Sequence, residues 1–260
     1  MSSDAEEFVF YQLANARVLE FPFPHFYIHP IFPDPFYQAL RKRLPDVSAY
    51  RRLDETGTVT KDTYTERFIC TVEELEERES TDAGDSFWFD LNVWLMGASF
   101  ARLVMHKFRD PITDRFGLGS QIHTATDARM VRDFSNYAIS PHTDTPRKLV
   151  SLLFYLPPDE SMLDLGTSIY APKDPSFRCE GTGHHSFDRF NKVATMPYRP
   201  NSLFGFFKTD RAFHGVDRIA APGVVRDLLL YNIYAQKVVP AQPPGLAKTP
   251  SVWPWEQASA

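Results

Sequence analysis

The chain has 260 residues, 43% of them hydrophobic and 23% charged, with 28 Lys and Arg against 33 Asp and Glu for a net charge of −5. That balance excludes a disordered polyelectrolyte and leaves no general positive field to gather nucleic acid or an anionic membrane. Only two cysteines, Cys70 and Cys179, stand far apart outside any CxxC, which excludes a disulfide framework or zinc knuckle.

The N-terminus, Met1 to Glu7, is acidic without an apolar signal core, and no apolar run approaches the roughly 18 residues of a membrane span. The expectation is a soluble cytoplasmic protein. The 22 Phe and 21 Pro favour β architecture with much loop. Phe21 to Ile28 reads as an extended entry strand with Pro at its edge. Pro35 to Leu44 places Phe36, Leu40 and Leu44, with Tyr37, on one helical face, and Pro45 stops it. Asp46 to Thr65 is polar loop. Thr71 to Glu77 is a short acidic helix. A longer helix is predicted from Phe87 to Phe108, with Leu91, Trp94, Leu95, Ala98, Arg102 and Met105 on a broad face that should back a sheet.

After Gly117 the texture changes. Gln121 to Phe134 alternates as a strand, and Lys148 to Leu156 is a continuous apolar run, the mark of a buried strand. Gly166–Tyr170, Lys192–Pro197, Ser202–Phe207 and Asp227–Gln236 complete a set of at least six strands, predicting a β-sandwich or barrel. The tail from Pro240 to Gly245 reads as loop or linker, with Trp253 and Trp255 pinning it back.

The residues that carry chemistry fall late in this set. His142 and Asp144, in Ser140-Pro141-His142-Thr143-Asp144, leave a strand end at a spacing that lets both reach one ion. His214 follows an aromatic strand and a turn, and Gly215 beside it permits close backbone approach. Two imidazoles and one carboxylate make half of an octahedral metal shell on one face. Arg226 precedes Leu228-Leu229-Leu230 on an apolar strand. A charge buried there needs a partner: a carboxylate ligand, or Asp227 or Asp217 with the Arg turned outward. Arg218, Arg129 and Arg132 are rivals for the first role.

From Arg129 to Gln236 these residues resemble the Fe(II)/2-oxoglutarate-dependent oxygenase superfamily, in its prolyl-4-hydroxylase-like branch. The likeness lies in His-x-Asp, a distal His and an Arg on the last strand, with Tyr137 before Pro141-His142. It implies a mainly β fold, a double-stranded β-helix (jelly roll) with bracing N-terminal helices. The single domain over 1–260 would comprise a support region 1–120, a catalytic core 121–240 and a tail 241–260. It also implies Fe(II) on His142, Asp144 and His214, 2-oxoglutarate with its distal carboxylate on Arg226 assisted by Tyr137, and O₂ as co-substrate. The implied reaction is hydroxylation or another oxidation with release of succinate and CO₂; relatives that halogenate lack the carboxylate that Asp144 supplies. A small-molecule substrate is favoured over a protein side chain. A cupin-like or zinc hydrolytic site and a non-catalytic jelly roll are the readings from other classes.

One departure is a stretch between Pro157 and Lys192, read as an insertion at 158–191 carrying Cys179, His184 and His185. Its segment Cys179 to Asp188 is expected to form a mobile lid, with no metal role for the two histidines.

Overall fold

The computed structural model describes residues 2–79, 86–181 and 183–241. The tail expected to be pinned by Trp253 and Trp255 lies outside the described residues. The N-terminal half supplies α1 (Ser2–Asn15), β1 (His25–Ile28), α2 (Asp34–Lys42), β2 (Arg51–Arg52), β3 (Arg67–Thr71), α3 (Val72–Glu79), α4 (Phe87–Leu95), α5 (Ala98–Lys107) and α6 (Arg109–Phe116). Eight strands follow: β4 (Gln121–Phe134), β5 (Ile139–His142), β6 (Lys148–Tyr155), β7 (Ser168–Pro172), β8 (Phe190–Thr195), β9 (Ser202–Phe207), β10 (His214–Val216) and β11 (Val225–Val239).

These eight strands split between two antiparallel sheets. One sheet has the order β1-β9-β6-β11-β4-β3-β2, the other β5-β10-β7-β8. The chain crosses between sheets at almost every turn, which is the winding of a double-stranded β-helix. The apolar run of β6 is explained by burial on both faces. Leu152 and Phe154 pack outward under the helices, while Leu153 and Tyr155 face the space between the sheets. β11 repeats the pattern, with Leu229, Tyr231 and Ile233 outward and Leu228 and Leu230 inward.

The outward core joins the two halves of the chain. Phe32 stacks on Phe154 at 5.4 Å between ring centres, and Phe100 meets Tyr231 edge-on at 5.1 Å. Each such ring contributes roughly 1.5–3 kcal/mol by burial. β1 seats Phe26 on Gly205, where any Cβ would stand 2.3 Å from the ring. The N-terminal elements therefore brace the larger sheet from outside, as expected, but they also lengthen it at both edges through β1, β2 and β3.

Several expectations are corrected. The helix expected from Phe87 to Phe108 is two helices broken at Gly97, whose ψ of 144° is extended and whose Cβ would press on the Trp94 and Val93 carbonyls at 3.0 Å. The break resets the buried face, so Phe100 and Val104 point inward in α5 while Ala98 and Arg102 are exposed. α1, α6, β2, β3 and the short strand β10 were not foreseen, while β5 ends at His142, where a strand end was expected. The supposed insertion 158–191 contains a short 3₁₀ segment (Glu160–Leu165), β7 and the start of β8, and the stretch between these strands is 173–189. No helix among the described residues is long and apolar enough to cross a membrane.

Candidate functional site

His142 ends β5 and His214 begins β10, and the two are direct partners across the antiparallel pair. That pairing needs Gly215, because a Cβ there would lie 2.5 Å from the Ile139 carbonyl oxygen. Asp144 comes in from the loop after β5. One ligand atom from each of the three lies within 4.8 Å of the others, and among the described residues no other such group occurs. The two imidazole ring centres are 4.4 Å apart.

The surroundings prepare each ligand. Nδ1 of His142 lies 3.0 Å from the Ser140 carbonyl and Nδ1 of His214 lies 2.9 Å from the Ala212 carbonyl. Carbonyls only accept, so both Nδ1 atoms carry the proton and both Nε2 lone pairs are free for a metal. Burial holds both imidazoles below their usual pKa, His142 further lowered by His214. Burial alone would raise the Asp144 carboxyl, but Lys148 and the imidazoles overcome it and hold it well below the usual range. Lys148 Nζ donates to one Asp144 oxygen at 3.1 Å and Ser151 Oγ to the other at 3.0 Å. Neutral histidines and an ionised carboxylate are the forms that bind a metal.

The triad lines a pocket of about 90 Å³, several times what one water occupies. Tyr137, Thr167, Arg67 and Arg226 line the same pocket. Arg226 is fully buried and points inward, so the outward reading paired with Asp227 or Asp217 is excluded. Its Nε donates to the Leu165 carbonyl and its Nη1 to Asp133, both at 2.7 Å, while Nη2 stands 3.4 Å from Thr167 Oγ1. The fork is thus mostly engaged by the protein, with Nη2 the least committed nitrogen. Tyr137 is buried beneath Arg67, its ring 4.3 Å from the guanidinium, and its hydroxyl has no hydrogen-bond partner among the described residues. An orphaned buried hydroxyl in a cationic cavity suits an anionic ligand's oxygen.

The rival arginines lie elsewhere. Arg132 is committed to Asp227 and faces the Tyr50 ring, Arg129 pairs with Asp127, and Arg218 is exposed. At the rim, the Tyr64 hydroxyl and His184 Nε2 share a hydrogen bond, and the His184 ring lies 4.8 Å from that of His142. Segment 173–189 is tied down by backbone bonds. Cys179 N donates to Asp210 O at 2.8 Å, Thr143 Oγ1 to Cys179 O at 2.8 Å, and His185 N to Pro141 O at 2.9 Å.

Sequence reasoning passed over Arg67, Asp133, Thr167 and Ser151 in this site. Asp133 carried one readable signal, a carboxylate two residues beyond Val131 on an alternating strand. Arg67 carried none, because β3 itself was unread.

No family model and no curated protein matches the sequence. Among solved structures, a Pseudomonas putida prolyl-4-hydroxylase is 15% identical, covering 88% of this chain and 97% of that one at a TM-score of 0.46. The epimerase SnoN, in complex with Fe³⁺, α-ketoglutarate and nogalamycin RO, is 13% identical, covering 93% and 88% at 0.49. HygX of Streptomyces hygroscopicus, with nickel and 2-oxoglutarate, is 14% identical, covering 82% and 83% at 0.39. At such identities and overlaps, what this chain does is read from its own residues.

Proposed function

We propose that this protein is a cytoplasmic non-heme Fe(II)- and 2-oxoglutarate-dependent dioxygenase that oxidises a small molecule. The observation that carries the reading is one pocket lined both by the metal-ready His142–Asp144–His214 triad and by Arg67, Arg226 and the orphaned Tyr137 hydroxyl. A keto diacid has the matching polarity, with a chelating end for the metal and a carboxylate for the cations. Bound there, Fe(II) would supply oxidative decarboxylation of 2-oxoglutarate by O₂, yielding succinate and CO₂ and inserting the second oxygen atom into a substrate C–H bond.

The chain's own residues set the conditions for that chemistry. The Ser140 and Ala212 carbonyls fix the imidazole tautomers. Lys148 and Ser151 keep the Asp144 carboxylate ionised and aimed. That carboxylate also occupies the place a halide would need, which favours hydroxylation over halogenation. Leu153, Phe206, Leu228 and Leu230 line the cavity with apolar surface and exclude water. The hydrogen bond between Tyr64 and His184, whose ring lies beside that of His142, is consistent with restricted access and supports a small substrate over a protein side chain. A catalytic zinc site could share the three protein ligands; the anion seat beside them favours this reading over a zinc hydrolase. The test is succinate formation from 2-oxoglutarate by the Fe(II)-loaded protein under air, with a panel of small-molecule substrates. Iron that binds while 2-oxoglutarate neither binds nor decarboxylates would sink the assignment.

A further inference from the structure

β3, β4 and β11 are neighbours in the larger sheet, and their register sets Arg67 opposite Asp133 and Asp133 opposite Arg226. The three side chains therefore form one row on the inward face. Asp133 accepts Nε and Nη2 of Arg67 at 2.6 and 2.9 Å and Nη1 of Arg226 at 2.7 Å. Asp133 and Arg226 are wholly buried and the Arg67 side chain is 17% exposed. Two guanidiniums share one carboxylate, so one positive charge is left over in a buried cavity. An uncompensated charge there is costly and seeks an anion.

We infer that Arg67 is a second cationic seat for the ligand's distal carboxylate. Asp133 holds the two guanidiniums apart and in line, and the leftover charge is neutralised only when the ligand arrives. The seat comprises Arg226 Nη2, Thr167 Oγ1, the Tyr137 hydroxyl and the Arg67 nitrogen that Asp133 does not take. Arg67, not Arg226 alone, then sets the preference for a dicarboxylic keto acid over a monocarboxylic one. Removing Arg67 leaves Asp133 and Arg226 as a neutral pair and abolishes the surplus charge. The inference rests on the proposed 2-oxoglutarate chemistry and assigns the residues that select that co-substrate.

The test is anaerobic calorimetry on the Fe(II)-loaded protein with 2-oxoglutarate and with 2-oxovalerate, which carries a methyl group in place of the distal carboxylate. Arg67→Gln should weaken 2-oxoglutarate binding roughly tenfold or more, the size of one buried charge-assisted hydrogen bond, and leave 2-oxovalerate and iron binding unchanged. Arg67→Lys, which restores the charge without the fork, should recover part of the loss. Equal weakening of both ligands, or no change in either, overturns the inference. If wild-type protein holds iron but ignores 2-oxoglutarate, the functional reading fails separately. Titration with succinate and glutarate then decides the seat: stabilisation that vanishes in Arg67→Gln supports it, and none in wild type overturns it.

Discussion

Each residue of the proposed triad is held by a contact of its own, so each can be tested singly. His142→Ala leaves His214 and Asp144, and two ligands hold Fe(II) poorly. Iron content and succinate formation should both fall to background; a variant with wild-type iron content would exclude His142 as a ligand. The imidazoles also give the metal-free protein a pH dependence. Burial keeps both neutral in the folded state, so their folded pKa lies below the unfolded value of about 6.5. The unfolded chain then takes up protons first as pH falls. Stability is full above about pH 6.5 and declines below it. Thermal midpoints of metal-free protein between neutral and mildly acid pH should show that decline, and His142→Gln should flatten it. The triad and Arg226 were legible in the sequence because ligand types recur in a fixed order along the chain. Arg67 and Asp133 were not, because their partnership exists only through strand register, and nothing local marks Arg67 as inward.

At the scale of elements, legibility followed length and coverage. β6 and β11 announce themselves by apolar residues on both faces. β5 and β10 are too short for alternation to show, and only Pro141, read as a strand exit, marked the first of them. Yet these two strands carry the histidines. The segment Cys179 to Asp188 shows a similar gap. Its glycines and polar residues suggest a free lid, but its backbone is bonded to Pro141 and Asp210, and His184 bridges to His142. Gly181, at φ +130°, lets the strap pass the Asp144 carbonyl, where a Cβ would stand 2.5 Å away. Replacing Cys179 to Asp188 with a short Gly-Ser link should spare iron and 2-oxoglutarate binding, since no described residue of the strap belongs to the triad or lines its pocket. It should remove His184 from Tyr64 and from beside His142, so that succinate forms without matching substrate oxidation. The measurement is the ratio of succinate to oxidised product. A ratio equal to wild type would deny the strap a role in coupling, and loss of iron would give His184 a part in holding the metal.

At the scale of the whole molecule, the boundary near residue 120 separates two textures but not two folding units. Residues from both sides share one core, from Val9 and Leu13 in α1 through Leu91 and Phe100 to Leu152 and Ile233. β1 covers the edge of β9, and β3 covers the edge of β4. A fragment of residues 121–241 would expose both edges and the outward rings of β6, β9 and β11, with Phe154, Phe207 and Tyr231 among them. Open edges and bare apolar faces of that kind pair with other chains rather than with water. The fragment would also lack Arg67, leaving Asp133 with Arg226 alone. The expected outcome is aggregation on expression. The intact chain, in contrast, should unfold in one transition seen alike by far-ultraviolet circular dichroism and tryptophan fluorescence, since Trp88 and Trp94 lie in the N-terminal half of the shared core. A soluble 121–241 fragment that binds iron, or two separated transitions in the full chain, would show instead that the jelly roll stands without its brace.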